Sequence, residues 1–243
     1  MKRILIINPN TSAEMTEQCR LTAQRVKSDD VELAVISPSF GPRSLESFYE
    51  YTLAGFASIR EYLRLEKEYD GILLACFGDP CLYGLKNVSK CPAIGIAEAS
   101  FSLSCVLGQR FGLLVTTPSA VPMMFDLIRQ YGFESRCAAI ETINTSVLDT
   151  EAFKDESVRK LIEAGKAAIS RGAEVLILGC AGMTGMKAEI ESALHVPVID
   201  PVEAGYIMLE GMVRCGIDIS RIGIYSPPPA KEIIGGELPI GIS

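Results

Sequence analysis

Tyr69-Asp70-Gly71-Ile72-Leu73-Leu74-Ala75-Cys76-Phe77-Gly78 and Ala173-Glu174-Val175-Leu176-Ile177-Leu178-Gly179-Cys180-Ala181-Gly182 are one pattern written twice, 104 residues apart. Each is an acidic residue, a short apolar run, a cysteine and, two residues on, a glycine. Two further echoes stand at nearly the same offset. Arg3 to Ser12 resembles Arg110 to Ser119, and Cys91-Pro92-Ala93-Ile94-Gly95-Ile96-Ala97-Glu98-Ala99 resembles Val196-Pro197-Val198-Ile199-Asp200-Pro201-Val202-Glu203-Ala204. Repeats at a fixed period signal a duplicated structural unit. Within each unit, short Ile/Leu/Val runs alternate with longer amphipathic stretches, which is how βα units on a parallel sheet buried on both faces read.

Working outward, the predicted strands are 3–8, 31–36, 71–76, 92–96, 111–115, 136–141, 174–178, 197–199 and 222–225. The predicted helices are 13–27, 46–68, 80–88, 98–107, 119–131, 154–171, 183–194 and 202–215. The fold expected is α/β, with two pseudo-symmetric open parallel-sheet, flavodoxin-like lobes from an internal duplication and an active site in the cleft between them. Pro227-Pro228-Pro229 and Gly235-Gly236 mark a tail with no regular element of its own.

Composition narrows the chemistry. The chain has 243 residues, 48% of them hydrophobic, and a formal net charge of −7 with no basic block, which argues against a nucleic-acid surface. The apolar run at Ile4–Ile7 is far too short for a signal h-region and no other stretch is long enough for a membrane span, so a cytoplasmic protein is expected. There the eight cysteines should be reduced. The single histidine, His195, sits where a helix hands over to a strand and reads as an element-end residue. Triads, His-rich zinc sites and Cys-His dyads would all have to recruit it.

In open parallel sheets ligands bind outside the carboxyl ends of the strands. Cys76 and Cys180 stand at that end of equivalent strands, each just before a predicted helix whose N-terminal amides would favour the thiolate. A lone cysteine there is usually a small buried hydrophobe. Two at equivalent positions, facing each other across a cleft, suit a different role. One thiolate removes a proton from one face of an sp³ carbon, and the opposed thiol protonates the other face. The amides around Gly78, Asp79, Ala181 and Gly182 are candidates to stabilise an enolate oxygen. Asn10, Thr11, Thr116 and Thr117 offer neutral donors and acceptors, in competition with capping roles. Asp79 reads as a cap at least as readily as a catalytic acid.

The motifs Ile7-Asn8-Pro9-Asn10-Thr11-Ser12, Gly41-Pro42-Arg43-Ser44-Leu45-Glu46, Ala75-Cys76-Phe77-Gly78-Asp79-Pro80, Gly95-Ile96-Ala97-Glu98-Ala99, Leu178-Gly179-Cys180-Ala181-Gly182-Met183 and Pro197-Val198-Ile199-Asp200-Pro201 stand in the order of a known family. The chain resembles the hydantoin racemase branch, with its allantoin racemases, of the aspartate/glutamate racemase superfamily. The resemblance implies a cofactor-independent racemase of 5-substituted hydantoins or allantoin, with Cys76 and Cys180 as paired acid and base and no metal. It places Asn10, Ser44, Leu45, Phe77, Gly78, Thr116, Thr117, Ala181 and Gly182 around the substrate. It also returns the tail to the first lobe, making the lobes 1–98 plus 204–243 and 99–203. Phe77-Gly78 replaces the Asn-Thr with which amino-acid racemases of the superfamily follow the first cysteine, and this favours a neutral ring over a free carboxylate. Cys81 departs from the family's usual glycine and Leu45 from its isoleucine, which leaves the ring substituent open.

The expected partner is a small molecule; apolar helix surface in excess of one core fits either a subunit interface or packing between the lobes, and a homo-oligomer is expected. Other readings of the same scaffold are an aspartate/glutamate racemase, a maleate isomerase, an arylmalonate decarboxylase, or a two-lobed small-molecule sensor without turnover.

Overall fold

A computed structural model describes residues 1–231. The chain builds β1 (Lys2–Ile7), α1 (Ala13–Val26), β2 (Val31–Ile36), α2 (Phe48–Leu63), β3 (Gly71–Leu74), α3 (Leu82–Val88), β4 (Ala93–Gly95) and α4 (Ile96–Leu107). It then repeats the theme with β5 (Phe111–Val115), α5 (Ala120–Gln130), β6 (Cys137–Thr142), α6 (Val147–Ala152), α7 (Lys154–Ser170), β7 (Val175–Leu178), α8 (Lys187–Leu194), β8 (Val198–Ile199) and α9 (Pro201–Cys215). The strands form two four-stranded sheets in the orders β2-β1-β3-β4 and β6-β5-β7-β8, with every pair parallel. The two orders are the same order twice, as the repeat predicts. The inner strands β3, β5 and β7 are buried along their whole length, which is why they read as unbroken apolar runs.

Helix starts follow ordinary capping chemistry. Ser12, Ser47 and Ser146 accept the amides of Met15, Glu50 and Asp149 at the heads of α1, α2 and α6. Asp200 accepts the Val202 and Glu203 amides at the head of α9, where Pro201 needs no partner for its nitrogen.

The first unit solves the same problem differently. Gly95 occupies the place of Asp200 and has no side chain, so the carboxylate arrives from Asp79, which accepts the Ala97 and Glu98 amides of α4 at 3.1 and 2.9 Å and the Tyr131 hydroxyl at 2.8 Å. A Cβ at Gly95 would collide with both Asp79 oxygens. Asp79 is therefore a buried cap, pushed up to about 7 by burial and then by the charge of Glu98. Its counterpart Asp200 reaches back to Thr184 Oγ1 at 2.8 Å and to the Gly185 amide at 2.7 Å.

One core joins the two sheets. It runs from Ile4 and Ile6 of β1 through α4 and α9 to Leu113 and Ile177 of the second sheet. At its centre Phe101 of α4, fully buried, meets Phe77, Phe111, Tyr131 and Phe133 with ring centroids 5.3–6.3 Å apart. Helix α9 packs on α1, α4 and β3, which brings this helix back to the first sheet.

Several local expectations change. Helix α2 covers 48–63 rather than 46–68, because Ser47 caps its start and the chain leaves the helix after Arg64. The predicted strand at 222–225 is a 3₁₀ turn over Gly223–Tyr225 and pairs with no strand among the described residues. Residues 147–152, assigned no element from the sequence, form α6. Gly235-Gly236 lies outside the described residues. No helix among the described residues is long and apolar enough to cross a membrane.

Candidate active site

The central strands of the two sheets present their carboxyl ends to a single cleft. Beyond β3 the Ala75 amide still bonds to the Ile7 carbonyl at 2.8 Å, and beyond β7 the Gly179 amide bonds to Leu114 at 2.7 Å. The ladder thus extends to the residue before each cysteine. Each cysteine then opens the same turn, with the Asp79 amide on the Cys76 carbonyl and the Met183 amide on the Cys180 carbonyl, both at 3.0 Å. The matching hydrogen bond at the start of each turn is the repeat expressed as geometry, although the chain then diverges, with Asp79 left-handed and Ala181–Met183 a 3₁₀ turn.

Cys76 and Cys180 line one cavity of about 40 Å³, room for a few waters. Asn10, Leu45, Phe77, Thr116, Thr117 and Ala181 line it with them. Asn10 is buried and fixed: its Oδ1 accepts from Asn8 Nδ2 and the Ser12 amide, both at 2.9 Å. Thr117 is paired with Ser119 through their hydroxyls at 2.9 Å. Ser44, Gly78 and Gly182 do not line the cavity. Gly182 instead donates its amide to Cys180 Sγ at 3.3 Å, and the Gly78 amide acts on Cys76 in the same sense. Of the four amides expected to hold an enolate oxygen, three are therefore already engaged, Asp79 by the Cys76 carbonyl, Gly78 by Cys76 and Gly182 by the Cys180 sulfur.

The electrostatics of the thiols reverse the expectation drawn from helix ends. Burial pushes Cys180 up to about 11, against the smaller downward pull of the Gly182 amide. Burial pushes Cys76 up as well, reinforced by Cys180 and Asp79 when they are ionised. The reason is local. Cys180 heads only the 3₁₀ turn Ala181–Met183, and after Cys76 the helix waits until Leu82, with Cys81 at its cap. A single amide near each sulfur does not offset desolvation.

Sequence reasoning centred on strand ends missed much of the wall: Met15, Glu46, Tyr51, Met123, Met124 and Val147. Most stand on helices, facing the cleft from the side. Glu46 accepts the Val147 amide at 3.1 Å and so ties the loop before α2 to the head of α6 across the cavity. Ser146-Val147-Leu148-Asp149 carried the signal for α6, since a serine three residues before an acid is a helix-start signature. Cys81 lies away from this cavity, its sulfur packed against Gly55. His195 is the left-handed cap that ends α8. Among the described residues, no group of three or more His, Cys, Asp and Glu is placed to hold a metal ion.

A family model described as Asp/Glu/Hydantoin racemase matches residues 4–209. The chain belongs to that family. A hydantoin racemase of Pseudomonas sp. (strain NS671) is 36% identical over 235 residues, covering 96% of this chain and 94% of the relative. Among solved structures, allantoin racemase from Klebsiella pneumoniae superposes with a TM-score of 0.93 at 33% identity, covering 98% of this chain and 97% of that one. Allantoin racemase from Pseudomonas fluorescens gives 0.92 at 32%, covering 96% and 100%. These relatives agree with the fold class and with racemase activity as read from the sequence.

Proposed function

We propose that this racemase-family protein inverts C5 of 5-substituted hydantoins or allantoin by a two-base mechanism, with Cys76 and Cys180 acting from opposite faces of the ring. The observation that carries the reading is the pair of cysteines at equivalent strand ends on one small cavity. In one direction a cysteine thiolate takes the C5 proton and becomes a thiol. The electron pair left on carbon delocalises into the adjacent carbonyl, and C5 becomes planar. The opposed thiol then delivers its proton to the other face and is left as the thiolate. The pair holds one proton before and after, and the reverse reaction uses the same groups with roles exchanged.

Burial has two effects here. It makes each thiolate a stronger base toward a weak carbon acid, and it lets only one of the pair ionise, because charge on Cys180 opposes charge on Cys76. Asn10, Thr116 and Thr117 are the polar groups that would meet the ring, and Leu45, Phe77 and Ala181 would pack against it. The Glu46 side chain on the same wall works against a free substrate carboxylate, which favours a neutral ring. A cytoplasmic, homo-oligomeric protein completes the reading. The oligomer rests on apolar residues left exposed on α2, α4 and α9, among them Phe56, Val106 and Ile207, and light scattering reads it.

The test is proton exchange in deuterated water with each enantiomer of one hydantoin, using Cys76→Ala and Cys180→Ala. Each variant loses racemisation, and any surviving exchange is confined to one enantiomer, a different one for each variant. Normal racemisation by both variants would end the two-base reading.

A further inference from the structure

Tyr51 stands in the first turn of α2 and, of the residues that line the cysteine cavity, is the one that also lines the cavity beside it. The first is the 40 Å³ space with the two cysteines. The second, about 280 Å³, lies between α2, the 78–83 turn and α5, and is walled by Phe48, Tyr83, Leu127, Gln130 and Tyr131 with Tyr51. Two features hold the ring in place. It lies flush on Gly78, so that a Cβ there would collide with Cε2, Cζ and the hydroxyl of Tyr51. Phe48 meets it edge-on, with centroids 6.1 Å apart and planes at 86°.

A ring held with C5 between two sulfurs must send its C5 substituent sideways. The walls near the sulfurs are Met15, Leu45, Met123, Met124 and Val147, which leave little room, whereas the larger space lies behind Tyr51. We infer that Tyr51 is a specificity-determining partition that restricts the C5 substituent to short groups, and that opening it joins the second cavity to the site and admits arylmethyl substituents. The inference rests on the hydantoin racemase reading above. What it adds is the residue that sets the size limit and the volume that lies beyond it.

The experiment compares kcat/KM for enantiopure 5-methylhydantoin and 5-benzylhydantoin in the wild type, Tyr51→Ala, Tyr51→Leu and Tyr51→Phe. A wall that excludes even one or two methylenes is worth tenfold or more in selectivity. The benzyl-to-methyl ratio therefore rises at least about tenfold in Tyr51→Ala and by an intermediate factor in Tyr51→Leu. In Tyr51→Phe, which keeps the ring, it stays within about threefold of the wild type. If Tyr51→Ala does not fold, judged by circular dichroism, Tyr51→Leu alone carries the test. An unmoved ratio in a folded truncation, or an equal rise in Tyr51→Phe, overturns the inference while leaving the racemase reading intact. A wild type inert on both hydantoins and on allantoin overturns that reading and the partition with it.

Discussion

Raising the pH is the most direct perturbation of the proposed chemistry. Cys180 is pushed up to about 11 by burial, so at pH 8 about one molecule in a thousand carries that thiolate, and the fraction grows tenfold per pH unit. Because kcat/KM reports the ionisations of the free enzyme, it should rise with unit slope on a logarithmic plot, about a hundredfold from pH 7 to pH 9. No descending limb from loss of the acid is expected in this range, since ionising one thiol suppresses ionisation of the other. Glu46→Gln provides the opposing arm. The Glu46 charge is one of the causes that hold Cys180 up, while glutamine keeps a carbonyl for the Val147 amide. At separations across one cavity wall, removing the charge is worth about 1 kcal/mol, or about threefold to tenfold more thiolate at fixed pH. The profile of Glu46→Gln should therefore move to lower pH. Initial rates of loss of optical rotation, with the uncatalysed rate subtracted at each pH, read both arms. A flat profile between pH 7 and pH 9, or a Glu46→Gln profile displaced to higher pH, would refute the assignment of a half-buried thiol as the base.

Three further outcomes bear on the fold. Cys19, like Cys180, is pushed up by burial, in its case to about 12; an acid with a raised folded pKa contributes stability below its unfolded pKa and loses it as pH rises. Stability in urea under reducing conditions should thus fall between about pH 8.5 and 11, by about 1.4 kcal/mol per pH unit for each such thiol, and Cys19→Ala should make the slope shallower by one thiol's share. Gly95→Asp alone should cost about 2–4 kcal/mol by driving two carboxylates together at the head of α4. Combined with Asp79→Thr, which copies the arrangement at Asp200 and Thr184, it should recover at least about 1 kcal/mol relative to the sum of the single changes. Phe101→Ala should cost about 3–5 kcal/mol in equilibrium unfolding, and the two sheets should still unfold together if the aromatic cluster lies in one shared core.

The central strands were legible because burial on both faces leaves an apolar run with no alternation, and the equivalence of Cys76 and Cys180 because a repeat preserves position along the chain. Tyr51 left no such mark: in sequence it is one aromatic among Phe48, Tyr49 and Phe56 on an amphipathic helix. Only the bare backbone of Gly78, 27 residues further along, lets its ring lie where it does. Glu46 and Val147 meet across 101 residues, and a spacing of that kind has no periodicity to read. The Asp79 cap was half visible, since an acid near a helix start is an ordinary signal, but the helix it caps is α4 and not the one that follows it.

Local sequence carried the duplicated α/β order, the matched strand ends and the two cysteines, because these depend on periodicity and position along the chain. The tertiary structure decided how the thiols titrate, which side chains close the cavity and how large the space around C5 can be. Desolvation, close packing and hydrogen bonds across the cleft arise only when distant segments meet.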